Sequence, residues 1–323
     1  MTSTGVGTGL RTSLIIIALG FGGIASIATV LAFFGASWWL FDLFANFRWQ
    51  LAWIAIISAV VYALTAKGLA AIVFVAAAIV NAFILAPAWF GSQPPGIGED
   101  GVRVVSVDLY GGTDDEEFAL RWLFDSAADV VIASGVSDTR LAPLVTDGSP
   151  YRLLAAPEPD TTGVAILGRG DYEVDTTIVE GTGEAIHVIR IPSGDGTIGI
   201  VTAWGKLATN SEAAGALDAR IDAIGSIVEA RAEPLAVIGN LGTTRYAHAL
   251  RSLLSSDAIR DATEGSGYLS TWPVSGFPII GGWAGIPLDL VLMTEEITPL
   301  DLVSGPDIGA GHLPMTVVVG QRG

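Results

Sequence analysis

Residues 13–34, "SLIIIALGFGGIASIATVLAFF", carry no charge over twenty-two positions. At a rise of about 1.5 Å per residue, a helix of this length crosses the ~30 Å hydrocarbon core of a bilayer. A cleaved signal peptide would have a shorter apolar region, roughly 7–15 residues, and here two more apolar stretches follow. The second, residues 51–66, is entered through "RWQLAW", where Trp49 and Trp53 supply interfacial anchors, and the third covers residues 69–89. "SWWLFDLF", between the first two, reads as an aromatic segment lying along the interface. The chain therefore begins with three transmembrane helices in residues 1–90, and the lipid bilayer is its first partner.

Three spans place the two chain ends on opposite sides of the membrane. Arg11 before the first span and Lys67 between the second and third outvote Arg48 by the excess of positive charge on the cytoplasmic side. The expected location is a multi-pass cell-membrane protein with its C-terminal domain extracytoplasmic. Asn81, within the third span, is expected to be satisfied against a neighbouring helix.

Composition separates the rest of the chain from this membrane part. Only 15% of residues are charged, against about a quarter in soluble domains, and nearly all the acidic residues follow residue 91. The net charge of −17 would repel phosphate backbones and speaks against a nucleic-acid partner. With no cysteine, disulfides, thiolate zinc sites and cysteine nucleophiles are excluded.

Residues 91–101, "GSQPPGIGEDG", read as a Gly/Pro linker, after which strand and helix signals alternate. "VRVVSVDL" and "ADVVIAS" read as buried strands around a helix over 114–127, whose acidic first turn suits the helix dipole. Five strand-like runs lie between 151 and 204. A long helix over 211–231, the strand "PLAVIGN", a second helix at "YAHALRSLL" and the strands "PLDLVLMT" and "MTVVV" complete the order. This pattern predicts an α/β sandwich of two mixed sheets. His187 is expected on a sheet face and His248 on a solvated helix. The acidic run 114–117 is a solvated helix start, and "RGD" at 169–171 is a chance tripeptide.

These segments together resemble the endonuclease/exonuclease/phosphatase superfamily, and in particular its bacterial membrane-anchored branch with three N-terminal spans, the vancomycin/teicoplanin-resistance-type proteins. "FANFRWQLAW" and the closing stretch from "GYLSTWPVSG" through "IPLDLVLM" to "GAGHLPMTVVV" carry the likeness. The resemblance implies a four-layer α/β sandwich over residues 102–323, with two central mixed sheets flanked by helices and preceded by the three transmembrane helices. It also implies a chemistry built on Mg²⁺, an activated water and a phosphate clamp, and this sequence departs from that pattern position by position. The metal-site Asn after the first strand is Asp108, and the metal-binding Glu after the second is Gly135. The phosphate-contacting His is Trp204. The Gly-Asp-Phe-Asn loop offers Asn240 and Gly242, and the Ser-Asp-His turn keeps His312 but has Gly311 in place of its Asp. The Asp of the Ile-Asp strand persists as Asp289.

Mg²⁺ prefers hard oxygen ligands, and an Asn cannot take a proton from water at neutral pH. The expectation is a catalytically inactive pseudoenzyme that needs no cofactor and binds an envelope protein or a lipid headgroup. Asp289 and His312 are then a remnant pair. The alternative is a divergent Mg²⁺-dependent phosphodiesterase or phosphatase acting on an envelope phosphoester through Asp108, Asp289 and His312.

Overall fold

The computed structural model describes residues 3–66, 68–93, 96–137, 141–146, 148–194, 196–272 and 284–322, with side chains from residue 9 onward except 97–100. Lys67 and residues 273–283 of the closing stretch lie outside them. The chain divides into two compact units, the first running to Pro87 and the second beginning at Ala88.

The first unit is helical: α1 (Ser3–Leu31) with a 3-10 continuation (Ala32–Ser37), α2 (Trp39–Ala45), α3 (Arg48–Thr65) and α4 (Ala70–Leu85). A short α5 (Pro87–Phe90) follows, and Pro87, having no N–H to give, marks the break between it and α4. Three segments are long and apolar enough to span a membrane: Gly9–Ser37, Arg48–Thr65 and Ala70–Phe90. The first extends beyond the expected 13–34 at both ends. Small residues, among them Ala25, Ala28, Ala55 and Ala78, are buried in one cluster, so the helices approach closely. A Cβ on Gly22 would fall 2.7 Å from Ser58 Cβ.

Asn81 is satisfied across helices as expected: its Nδ2 donates to Thr29 Oγ1 at 2.7 Å and its Oδ1 accepts from Arg48 Nη1 at 3.2 Å. Arg48 corrects the sequence reading. It is not a loop charge but is buried in the bundle, donating also to the Thr29 carbonyl and lying 4.8 Å from the Phe33 ring centroid. A guanidinium in so apolar a place must find acceptors inside the protein. Arg11 stays exposed, and its Nε donates to the Thr65 carbonyl, so the start of α1 and the end of α3 share one end of the bundle.

The second unit holds two six-stranded mixed sheets. The first, in the order β11-β12-β1-β2-β4-β3, is built from β1 (Gly96–Asp108), β2 (Val130–Val136), β3 (Arg152–Ala155), β4 (Gly163–Gly168), β11 (Ile297–Ser304) and β12 (Met315–Arg322). The second, β5-β6-β7-β8-β10-β9, comprises β5 (Glu173–Ile178), β6 (Ala185–Ser193), β7 (Gly196–Thr202), β8 (Leu235–Asn240), β9 (Arg260–Asp261) and β10 (Asp289–Met293). β1 enters inside the stretch expected to be a linker. Gly96 and Ile97 already pair with Arg322 and Gln321, across an irregularity that ends at Val102. Glycines that read as linker here accommodate a bulge.

Between the sheets, Val104, Ile132, Ile166, Ile200, Ile238, Val291 and Val317 form the central core. Each such fully buried aliphatic side chain contributes roughly 1.5–3 kcal/mol. On the outer faces, α6 (Glu116–Asp125) packs Ala119 and Leu123 against Val105 and Val131. On the far side α7 (Ser211–Ala230) packs Leu217, Ile221, Ile224 and Val228 against Val201, Val237 and Leu292. The result is the four-layer helix–sheet–sheet–helix sandwich. Asp115 and Asn210 cap α6 and α7, accepting from Phe118 N and Ala213 N, and α8 (His248–Leu254) follows β8. His248 is exposed, whereas His187 is buried, takes part in a hydrogen bond to Thr176 Oγ1 at 2.9 Å, and has its pKa lowered by burial.

Candidate functional site

Side chains alternate along a strand, so Val104, Ser106 and Asp108 of β1 face the opposite sheet while Val105 and Val107 face α6. At the end of β1, Asp108 lies opposite Ser134 of the parallel β2. In the other sheet the end of β8 brings Asn240 opposite Asp289 of the antiparallel β10. Trp204 follows β7, and His312 comes in from the turn before β12. Five of the residues singled out in the sequence therefore meet at one end of the space between the sheets.

Asp108 is at their centre and is buried. Its Oδ1 accepts from Tyr110 N at 2.8 Å. Its Oδ2 accepts from Asn240 Nδ2 at 2.7 Å and from Trp204 Nε1 at 2.9 Å. Asn240 is held in turn, since its Oδ1 accepts from Gly242 N at 2.9 Å. The Asn-to-Asp and Asp-to-Asn departures are thus two halves of one contact: the carboxylate now on β1 accepts from the amide now on β8. Trp204 is held in place by its indole N–H, which donates to the Asp108 carboxylate.

His312 stands between two carboxylates. Its Nδ1 is 3.2 Å from Asp289 Oδ2 and its Nε2 is 3.8 Å from Asp108 Oδ2. Burial pulls its pKa down, but the hydrogen bond to Asp289 and the charges of Asp289 and Asp108 prevail and raise it above the ordinary value. The backbone N–H of Asp289 is fixed by Thr271 Oγ1.

Two of the glycines are steric requirements. Gly135 has φ +67°, and a Cβ there would lie 2.7 Å from Asp108 Oδ1 and 2.6 Å from Tyr110 Cβ. Gly242 has φ +77°, and its Cβ would fall 2.3 Å from the Lys206 carbonyl. Neither position admits the side chain the resemblance would place there. Gly311 is open, its nearest neighbour being the Tyr110 carbonyl at 3.8 Å.

The rim is aromatic, and its residues were not anticipated from the sequence. Tyr110 is 47% exposed and tilts against Trp204 with ring centroids 5.4 Å apart. Lys206 donates from Nζ to the Tyr110 hydroxyl at 2.7 Å. Trp272 is 38% exposed and its ring centroid lies 6.4 Å from that of His312. Tyr110 could have been found by its place two residues beyond Asp108 and Trp272 by its place in the quoted stretch "GYLSTWPVSG"; Lys206 carried no signal. Beneath the site, Ser106 and Ser134 bury hydroxyls that have no hydrogen-bond partner among the described residues.

The arrangement does not fit Mg²⁺. That ion needs open oxygen ligands in octahedral geometry, but both Asp108 oxygens are engaged by N–H donors and Gly135 excludes a carboxylate from the end of β2. Among the described residues, no group of three or more His, Asp or Glu side chains is placed to hold a metal ion.

The second unit has the fold of the endonuclease/exonuclease/phosphatase superfamily. D. rerio TDP2, complexed with single-strand DNA product, superposes with a TM-score of 0.57 at 12% identity, over 69% of this chain and 100% of that one. An endonuclease/exonuclease/phosphatase from Beutenbergia cavernae gives 0.54 at 15% identity, over 69% and 72%. The human Nocturnin catalytic domain with bound sulfate gives 0.52 at 13% identity, over 73% and 99%. No protein-family profile and no curated protein matches the chain.

Proposed function

We propose that this protein is a membrane-anchored pseudoenzyme of the endonuclease/exonuclease/phosphatase fold, which acts as an extracytoplasmic binding module without hydrolysing phosphoesters. The observation that carries this reading is the engagement of Asp108 by N–H donors. Its carboxylate is the acceptor for Tyr110 N, Trp204 Nε1 and Asn240 Nδ2, so three of its roughly four acceptor sites are occupied and Oδ2 is turned to donors rather than to a metal or a water. An Asn in the water-activating position offers no base. The exposed rings of Tyr110 and Trp272 give a rim suited to an envelope protein or lipid headgroup, since aromatic side chains dominate many interfaces. The acidic surface argues against the DNA seen with the D. rerio relative. The orientation rests on Arg11 and Lys67, with Arg48 withdrawn into the bundle.

The Asp289–His312 pair favours the alternative hydrolase, because a histidine ring oriented by a carboxylate is an arrangement used for general acid–base catalysis. The two readings part in a single assay on the full-length protein in detergent. Mg²⁺ and Mn²⁺ titrations by calorimetry and hydrolysis of bis(p-nitrophenyl) phosphate should both stay at the protein-free baseline. Mn²⁺-dependent turnover that disappears in a folded Asp108→Ala variant would establish the hydrolase. Reporter fusions after Gly91 that are active only in the cytoplasm would reverse the orientation.

A further inference from the structure

A second concavity lies behind the strand that carries Asp108. On the opposite face of β1, Val107 and the following Leu109 floor a cavity of ≈ 300 Å³, walled by Ala119 and Leu123 of α6, by Leu144 and by Ile308. That volume is at the lower end of the range for small-molecule sites. The walls are fixed in advance. Thr113 Oγ1 donates to the Ile308 carbonyl at 2.6 Å, Asp114 N to the Gly309 carbonyl at 3.0 Å and Gly112 N to the Leu109 carbonyl at 2.9 Å. A preformed apolar site spares a ligand the cost of ordering it.

Among the described residues, Glu116 is the one charged residue of the lining. The Thr113 hydroxyl is already committed, and the α6 N-terminus, which would otherwise attract an anion, is capped by Asp115. Asp114, Asp115 and Glu117 surround the same turn on a chain of net charge −17, so a negative headgroup is repelled. We infer that this cavity binds a single-chain amphiphile with a cationic headgroup, its alkyl tail against Val107, Leu109 and Leu123 and its ammonium against Glu116. The inference does not depend on whether the Asp108 site is catalytic.

The test is photolabelling of the full-length protein in nanodiscs of zwitterionic lipid. The probe is an octylammonium with a diazirine at the tail end, compared with an octylsulfonate carrying the same tail. The ammonium should label peptides spanning 107–123. Labelling should vanish in Ala119→Phe, which fills the cavity, and fall about two- to fivefold in Glu116→Gln, the range of an exposed ion pair. The sulfonate should label these peptides several-fold less. If Ala119→Phe melts below the parent, Leu120→Trp, on the same wall but only partly buried, takes its place. Adducts confined to the membrane helices, labelling indifferent to the filling variants, or equal labelling by the two headgroups would overturn the inference.

Discussion

Asn240→Asp places a carboxylate where the resemblance would have one, at the end of β8, and it should destabilise this protein steeply with pH. The introduced group keeps its acceptor role toward Gly242 N but replaces an N–H donor 2.7 Å from Asp108 Oδ2 with a second negative oxygen. At that separation, with an effective dielectric of about 20, the repulsion is about 6 kcal/mol. The pair can avoid it by sharing one proton, and this caps the loss. Holding a proton at pH 7 on a group that ionises near pH 3.9 when unfolded costs about 4 kcal/mol, and at pH 5 about 1.5 kcal/mol. The sign follows from linkage. The pair's raised pKa means that the folded variant binds more protons than the unfolded chain, so its stability deficit grows by about 1.4 kcal/mol per unit from pH 4 upward. For a unit of this size the deficit at pH 7 lowers Tm by roughly 10 °C. The assay is a thermal melt of variant and parent in detergent at several pH values between 4.5 and 7.5, with chelator and with excess Mg²⁺. Equal melting at pH 7 in chelator would refute the picture of Asp108 as the acceptor of the Asn240 amide. A large rescue by Mg²⁺ would show a metal site one substitution away, through the coupling of binding to stability.

Three further outcomes follow from the same geometry. His312 has a raised pKa, so its contribution to stability is full below its unfolded value near 6.5 and is lost as pH rises through the folded value; His312→Gln should flatten the melting profile above about pH 6.5. Gly135→Ala should cost at least about 1–3 kcal/mol in denaturant unfolding, from its left-handed backbone and the clash with Asp108 and Tyr110; a neutral result would mean the end of β2 has room for a ligand side chain. Ser134→Ala removes a buried hydroxyl with no partner among the described residues and should be neutral or stabilising by up to about 1 kcal/mol; a loss above about 2 kcal/mol would reveal a structural water network beneath the site.

The membrane helices and most strands were legible because apolar length and alternation are local properties. The first part of β1 was not, since "GIGEDG" has the composition of a linker and becomes a strand only through its pairing with Gln321 and Arg322. β11 was also hidden: Pro299 and Asp301 interrupt its pattern, and the ladder to β12 shifts register there. The positions of the site could be read one by one, yet their relation could not. The opposite changes at Asp108 and Asn240 hint at rewiring in the sequence, but only the approach of β1 and β8 makes them a donor–acceptor pair. Nothing in the sequence around Trp204 announces that its N–H is held by Asp108. Arg48 was counted as a loop charge because nothing in its neighbours in sequence announces Thr29 and Asn81.

The pairing of β1 with β12 also governs how the second unit would respond to force. Gly96, at the start of β1, lies directly opposite Arg322, at the end of β12. Tension applied between these two residues would pull two neighbouring antiparallel strands apart from the same end. The ladder would then open one hydrogen bond at a time, as a zipper does, rather than resisting in shear with all of them at once. A pulling handle at Arg322 would therefore read the unzipping of β1 from β12, whereas a handle at the other end of β12 would load the same ladder in shear.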